Sequence, residues 1–127
     1  MNAIVAGAAL VVSLVLAAPG GDGGSAPGFP RELQGVWDAH PWPCSAAGPS
    51  DSDMRFTIEG SKRRNYEDDD TLVSVEELAA VPRTWRVRSL SSLDTRQSLV
   101  DTRIYILAGD RLTVADDGRT EVYVRCR

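Results

Sequence analysis

The chain has 127 residues and a formal net charge of −4. This length leaves room for one domain, because independent domains usually run to about 100–150 residues. The acidic balance excludes nucleic acid as the expected partner, since that function needs a basic stripe. The sequence contains no nucleophile-and-base set, no cluster of metal ligands and no phosphate loop. We therefore expect no enzymatic activity, no metal and no cofactor.

The amino-terminal segment has the layout of a secretory signal peptide. An apolar run is followed by small residues, and cleavage is expected before Ala18, so that residues 1–17 are removed. Residues 18–30, rich in Gly and Pro, are expected to form a flexible linker. Residues 31–127 would then be a folded domain that is periplasmic or secreted. The alternative is an uncleaved membrane anchor, although the apolar run is shorter than the roughly 20 residues that span a bilayer.

The remainder of the chain alternates apolar and polar residues with a period near two, interrupted by turn-forming residues. This pattern is typical of β-strands joined by hairpins. Residues 40–53, rich in Pro, Gly and Ser, are expected to form a long loop. Residues 76–81 fit either a strand end or one helical turn. The expected strands are 33–38, 54–59, 62–66, 71–75, 84–88, 100–107, 111–114 and 120–126.

These strands predict an all-β domain: a small antiparallel meander of seven to eight strands, closed into a barrel or left as a half-barrel. A two-sheet sandwich is the alternative. Large side chains on the expected inward faces predict a filled interior. These side chains are Trp37, Phe56, Ile58, Trp85, Ile104 and Ile106.

A charged stretch, residues 67–70, lies between two of the expected strands. Its carboxylates are the ligand type that calcium prefers, but the spaced ligands and the glycine of a calcium loop are missing. We therefore expect an exposed, solvated turn.

The two cysteines, Cys44 and Cys126, lie near opposite ends of the expected domain. An even number of cysteines in an exported chain predicts a disulfide. Closing a loop of about 80 residues would stabilise so small a domain by roughly 4 kcal/mol in the chain-entropy model.

Gly35-Val36-Trp37 resembles the Gly-x-Trp signature on the first strand of lipocalin-like barrels. The resemblance implies that Trp37 closes the barrel floor and that an arginine near the last strand, Arg125 or Arg127, packs across it. At this length the interior would be narrower than that of a full lipocalin.

Two further resemblances concern small exported bacterial proteins. Glu32-Leu33-Gln34-Gly35-Val36-Trp37 is similar to the start of periplasmic inhibitors of bacterial metalloproteases, whose flexible arm would correspond to residues 18–30. In those inhibitors the disulfide is local, whereas a bond between Cys44 and Cys126 would be long-range. The chain also resembles small exported proteins of Gram-negative bacteria that share a first-strand Trp and a terminal Tyr-x-Arg-Cys, here residues 123–126, and no activity comes with that resemblance.

Two loop residues are candidates for binding. His40 is the single histidine, and it has no partner Ser or Cys with which to act as a general base. Trp42, between two prolines, is either a lid folded back on the barrel or an exposed binding anchor. The lid is favoured, because an exposed Trp is costly without a partner.

The sequence therefore favours a non-enzymatic exported binding or envelope-accessory module whose partner is a protein or a small molecule. The alternative is a protease-inhibitor module that uses the amino-terminal arm. An enzyme centred on His40 is the least favoured hypothesis.

Overall fold

The computed structural model describes residues 27–127. The expected signal peptide and most of the expected linker lie outside the described residues. Between residues 27 and 127, no helix is long and apolar enough to cross a membrane.

Eight antiparallel strands form a closed barrel, in which each strand pairs with its neighbours in the sequence and the last strand pairs with the first. The strands are β1 (Gly35–Ala39), β2 (Phe56–Glu59), β3 (Lys62–Arg64), β4 (Asp69–Ala80), β5 (Arg83–Ser91), β6 (Asp101–Ala108), β7 (Arg111–Ala115) and β8 (Thr120–Arg125). A single 3-10 turn, Arg31–Leu33, precedes β1. The predicted all-β meander is confirmed in its closed form, and the ambiguous residues after Val75 continue β4 as strand.

The two ends of the barrel differ in their connections. The tight β2–β3, β4–β5 and β6–β7 hairpins lie at the end where β1 begins, which we call the floor. The longer β3–β4, β5–β6 and β7–β8 loops lie at the opposite end, which we call the mouth. The long loop after β1 also returns to the sheet at the mouth, where β2 begins.

Apolar side chains fill the half of the barrel interior that adjoins the floor. Phe29 is 4% exposed and lies against the ring of Tyr105, with ring centroids 6.2 Å apart. The core therefore begins within the segment that the sequence analysis assigns to the linker. The buried core consists of Phe29, Leu33, Trp37, Phe56, Ile58, Leu72, Trp85, Val87, Tyr105, Leu112, Val114 and Tyr123.

The inward face of β6 differs from the prediction. Tyr105 is buried in the core, whereas Ile104 and Ile106 are only partly buried and lie on the other face. The alternation was ambiguous here because both faces of β6 carry large apolar residues. Pairing of Tyr105 with the buried Trp85 on β5 fixes which face points inward.

The charged stretch 67–70 is not entirely a solvated turn, contrary to expectation. Asp70 is 3% exposed, because it is the second residue of β4 and pairs with Arg63 across the β3–β4 ladder. Its side chain therefore points into the barrel with that of Arg63. The prediction of a turn over residues 67–70 could not show this, because a turn has no inward face.

The predicted disulfide joins Cys44 to Cys126 across a sequence separation of 82 residues, and the residues described include no free cysteine. It ties the long loop after β1 to the end of β8. Ala46 N–H also donates to the carbonyl of Arg127 at 3.1 Å. The loop is therefore attached to the outside of the barrel.

Asp38 on β1 provides a second attachment for this loop. Its carboxylate accepts from Ser52 Oγ at 2.5 Å and from Arg55 Nε at 3.2 Å. Burial alone would raise the pKa of Asp38, but the hydrogen bonds from Ser52 and the Ala39 N–H, together with Arg55, outweigh burial and lower it.

Candidate binding site at the mouth of the barrel

Arg63 lies inside the barrel, where the apolar half gives way to polar side chains. The β2–β3 hairpin pairs Ile58 with Arg63, so both side chains share the inward face, while Lys62 and Arg64 are exposed. Arg63 is only 7% exposed, and its guanidinium carbon lies 3.8 Å from the centre of the Phe56 ring. This geometry is that of a cation–π contact.

The hydrogen bonds of Arg63 are all to neutral groups. Nε donates to Asn65 Oδ1 and Nη1 donates to the hydroxyl of Tyr105, both at 2.8 Å. None of the ion pairs found between residues 27 and 127 includes Arg63. Nη2 has no hydrogen-bond partner in the same region. Arg63 is therefore a mostly buried cation that forms no ion pair in this region, that interacts with the nearby Asp70 carboxylate, and whose Nη2 is not enclosed by protein.

Asp70 and Arg103 form a second polar group beside Arg63. Asp70 accepts from Asn65 Nδ2 at 3.1 Å and from Arg103 Nη1 at 3.4 Å. Arg103 Nη2 also pairs with Asp101 at 2.6 Å, while its Nε is buried without a partner among the described residues. The interior at this level is therefore a connected polar network.

The environment shifts the pKa of both charged groups in this network. Burial raises the pKa of Asp70, although the Asn65 hydrogen bond and the two nearby arginines oppose this. Burial alone would lower the pKa of Arg103, but the Asp70 and Asp101 carboxylates outweigh burial and raise it. Arg103 therefore remains a fixed cation, while protonation of Asp70 is favoured relative to an exposed aspartate.

A cavity of about 230 Å³ opens at the mouth above these residues. Its walls carry four arginines and four acidic residues. The arginines are Arg55, Arg63, Arg103 and Arg119, and the acids are Asp53, Asp68, Asp116 and Glu121. The volume lies below the roughly 300–1,000 Å³ of drug-sized pockets, and the lining is mainly polar. The cavity therefore suits a small, hydrophilic molecule.

Gly35, Trp37 and Arg125 lie together at the floor. Trp37 Nε1 donates to the carbonyl of Leu33 at 3.0 Å, and the guanidinium carbon of Arg125 lies 4.3 Å from the centre of the Trp37 ring. Gly35 has φ +124°, and a Cβ added there would lie 3.2 Å from Arg125 Nη1. Glycine therefore suits this position both for its backbone angle and for the approach of the arginine.

Arg127, the other candidate for packing across Trp37, lies elsewhere. Its side chain is exposed and pairs with Asp110 at 2.6 Å. Arg125, and not Arg127, therefore contacts the floor tryptophan.

His40 and Trp42 lie on the outer wall and do not reach the mouth cavity. Trp42 is 71% exposed, so it is not a lid, because the loop that carries it is held to the outside of the barrel. His40 Nε2 lies 3.2 Å from Arg111 Nη2, and its backbone N–H donates to the carbonyl of Val122. Among residues 27–127, the His40 side chain has a hydrogen-bonding contact with that of Arg111 alone.

Sequence reasoning missed the mouth residues, although one signal was available. A two-residue hairpin at Gly60-Ser61 requires Ile58 and Arg63 to face each other, so an inward Ile58 implies an inward Arg63. Nothing comparable pointed to Asp70 or Arg103, since each depends on strand register across longer loops.

Within residues 27–127, no group of three or more His, Cys, Asp or Glu side chains is arranged to hold a metal ion. Comparison with family models, with curated proteins and with solved structures finds no match to this chain.

Proposed function

We propose that this chain is a non-enzymatic, exported binding module that takes a small polar ligand in the mouth cavity. The observation that carries the proposal is Arg63, a buried cation with no ion-pair partner in the described structure and one free donor nitrogen beside a cavity. A charged side chain is costly to bury, and a ligand with a negative group could form the ion pair that Arg63 lacks among the described residues.

The filled apolar half argues against a large hydrophobic ligand. Trp37, Leu33 and Leu112 are among the fully buried side chains that occupy this region. Close-packed interiors do not open a ligand-sized space without losing contacts. The lipocalin-like resemblance is supported by the closed eight-stranded meander and by the Trp37–Arg125 contact, but the expected ligand differs in polarity.

Export is supported by the disulfide, because such bonds persist in oxidising compartments. The proposed location is the periplasm or the exterior of the cell.

The proposal can be tested by NMR of the purified ¹⁵N-labelled protein with mixtures of amino acids, sugars, dicarboxylates and polyamines. Binding compounds should shift the side-chain resonance of Arg63 and the backbone amide resonances of Asn65 and Tyr123, which also line the cavity, and Arg63→Gln should abolish the amide shifts. Arg88→Gln, which removes an exposed arginine on the outer face of β5, is the matched control. Unchanged binding to Arg63→Gln, or no binding from any mixture, would refute the proposal.

The protease-inhibitor alternative is favoured by one observation, the attachment of Phe29 at the floor. Phe29 N–H donates to the carbonyl of Gly60 at 2.9 Å, and Gln34 Nε2 donates to the carbonyl of Phe29 at 2.9 Å. Phe29 is therefore held at the floor, opposite the mouth. Deletion of residues before Phe29 should abolish inhibition of a metalloprotease if this alternative is correct, and should leave ligand binding at the mouth unchanged.

A further inference from the structure

The charges that line the mouth cavity differ in how fully the protein itself satisfies them. Asp68 accepts from Asn65 and Ser91, and Asp116 accepts from the backbone N–H groups of Gly118 and Arg119. These two acids already have partners within the protein, so a ligand would have to compete for them.

The lining arginines are similarly divided. Arg55 is paired with Asp38 and donates to the carbonyl of Ser45, and Arg103 is paired with Asp70 and Asp101. Arg63 has neutral partners alone. Arg119, which is exposed at the rim, makes no side-chain hydrogen bond or ion pair in the described part of the chain.

Two acids at the cavity are also unpaired among residues 27–127. Asp53 and Glu121 accept no hydrogen bond and form no ion pair there. Asp53 is exposed, whereas Glu121 is half-buried and faces inward, because it lies two residues before the buried Tyr123 on β8. Among the described residues, the cavity therefore offers one inward-facing cation, Arg63, and one inward-facing anion, Glu121, that form no ion pair.

Arg63 and Glu121 both lie near Tyr123 and form no ion pair with each other. The guanidinium carbon of Arg63 is 5.9 Å from the centre of the Tyr123 ring, and Glu121 is the next inward residue toward the mouth on the same strand. Both line the cavity. A ligand in this cavity would contact a positive group at its inner end and a negative group nearer the rim.

We infer that the ligand of this module is a small zwitterion, with a carboxylate bound by Arg63 and an ammonium group bound by Glu121. This inference rests on the proposed function. An arginine is well suited to a carboxylate, since its N–H groups form charge-assisted hydrogen bonds. A ligand with two like charges would place one of them against Arg63 or Glu121, and such juxtaposition is unfavourable.

Three probes with the same spacer and different end groups test the inference. They are γ-aminobutyrate, which carries one charge of each sign, glutarate, which is a dianion, and trimethylenediamine, which is a dication. Affinity for the purified protein is measured by calorimetry, and the Arg63 side-chain resonance locates the bound probe. We expect γ-aminobutyrate to bind about tenfold tighter than either of the others.

Glu121→Gln supplies the decisive variant, because it removes the charge while keeping the size of a half-buried rim residue. The preference for γ-aminobutyrate over glutarate should fall about tenfold. Glu59→Gln is the matched control, since Glu59 is exposed at the floor end of β2, and it should leave the preference unchanged.

The outcomes separate this inference from the proposed function. If glutarate binds at Arg63 as tightly as γ-aminobutyrate, or if Glu121→Gln leaves the preference intact, the zwitterion inference is wrong and the polar binding site remains. If no probe moves the Arg63 resonance, the inference is also wrong. The broader ligand screen then decides the proposed function separately.

Discussion

Two arginines lie over an aromatic ring inside the barrel, Arg125 at the floor and Arg63 at the mouth. Their remaining contacts differ. Arg125 donates to the carbonyls of Gln34 at 2.8 Å and Glu32 at 2.6 Å, and it pairs with Asp110. Arg63 has neutral partners, no ion pair within the described residues and a free nitrogen. These contacts indicate that Arg125 stabilises the fold, whereas Arg63 keeps a donor nitrogen available to a ligand.

The same contrast extends to the two halves of the interior. The floor half is apolar and closed, so its burial is the main source of stability for a small domain. The mouth half buries Arg63 and Asp70 in a polar network that contributes little net stability, because desolvation offsets the interactions gained. Substitutions in the two halves should therefore have opposite effects on folding and binding.

The largest effect is expected at the floor, from Trp37→Ala. Trp37 is fully buried and its indole N–H is bonded to Leu33, so the substitution should lower the free energy of unfolding by about 3–5 kcal/mol. Urea denaturation with the disulfide intact measures this loss. Trp42→Ala is the control, since an exposed tryptophan should change stability by about 0.5 kcal/mol or less. Equal losses in the two variants would contradict the assignment of the floor.

Removal of the disulfide should destabilise both halves alike. The double variant Cys44→Ser, Cys126→Ser releases a closure that spans 82 residues and should lower the free energy of unfolding by about 2–4 kcal/mol. Thiol reduction of the wild type should reproduce the loss. The bond lies outside the barrel interior, so the folded fraction of the variant should bind a mouth ligand with the affinity of the wild type. A lower affinity would show that the disulfide contributes to the binding site.

The two arginines themselves give a matched pair of substitutions. Arg125→Met leaves two backbone carbonyls without their donor and should lower the free energy of unfolding by about 1–3 kcal/mol. Arg63→Met removes a buried charge that forms no ion pair within the described residues, but it also leaves Asn65 Oδ1 and the Tyr105 hydroxyl without their donor. The free energy of unfolding should therefore fall by less than in Arg125→Met, while ligand binding is lost. Denaturation and ligand titration of both variants check this, and a larger loss of stability in Arg63→Met would reverse the comparison.

The smallest expected effect is a pH dependence at Asp70. Burial raises the pKa of Asp70, so the folded state binds this proton more tightly than the unfolded chain does. The contribution of Asp70 to stability should therefore fall as the pH rises from the ordinary aspartate range through the raised pKa. The free energy of unfolding of the wild type relative to Asp70→Asn, measured across acidic pH, should decline over that window.

Asp38 on the outer wall is the control for this pH dependence. The pKa of Asp38 is lowered, so its contribution to stability is present above the ordinary aspartate range and is lost as the pH falls through the lowered pKa. Asp38→Asn should therefore show the opposite slope relative to the wild type. If the free energy of unfolding changed with pH in the same direction for both variants, the two carboxylates would not lie in the different environments described.

Much of the fold could be predicted from the sequence, because strand alternation and hairpin glycines are local signals. The strand order around the barrel follows from sequential hairpins, and the Cys44–Cys126 bond follows from cysteine number and expected compartment. Ile104 and Ile106 were predicted to face inward, where Tyr105 lies instead, because both faces of β6 are apolar. Pairing with β5 decides which face of β6 points into the barrel, and the local sequence does not specify that pairing.

The mouth could be predicted only in part. The inward orientation of Arg63 follows from the hairpin register. Asp70 lies in a run of acidic residues that the sequence predicts to be solvated, and it is buried only because the barrel closes. Trp42 was expected to be a lid because exposed tryptophan is costly. The attachments of its loop, through Asp38 and the disulfide, hold it outside, and such tertiary contacts leave no local pattern in the sequence.

One NMR titration series tests most directly whether the barrel interior is divided into a packed apolar half at the floor and a polar binding site at the mouth. The ¹⁵N-labelled protein is titrated first with the mixed polar compounds and then with oleate, while the indole resonance of Trp37 and the guanidinium resonance of Arg63 are followed together. Polar compounds should shift Arg63 and leave Trp37 unchanged, and oleate should shift neither. Movement of the Trp37 resonance by oleate, with Arg63 silent to every polar compound, would show an apolar ligand site at the floor and contradict this account.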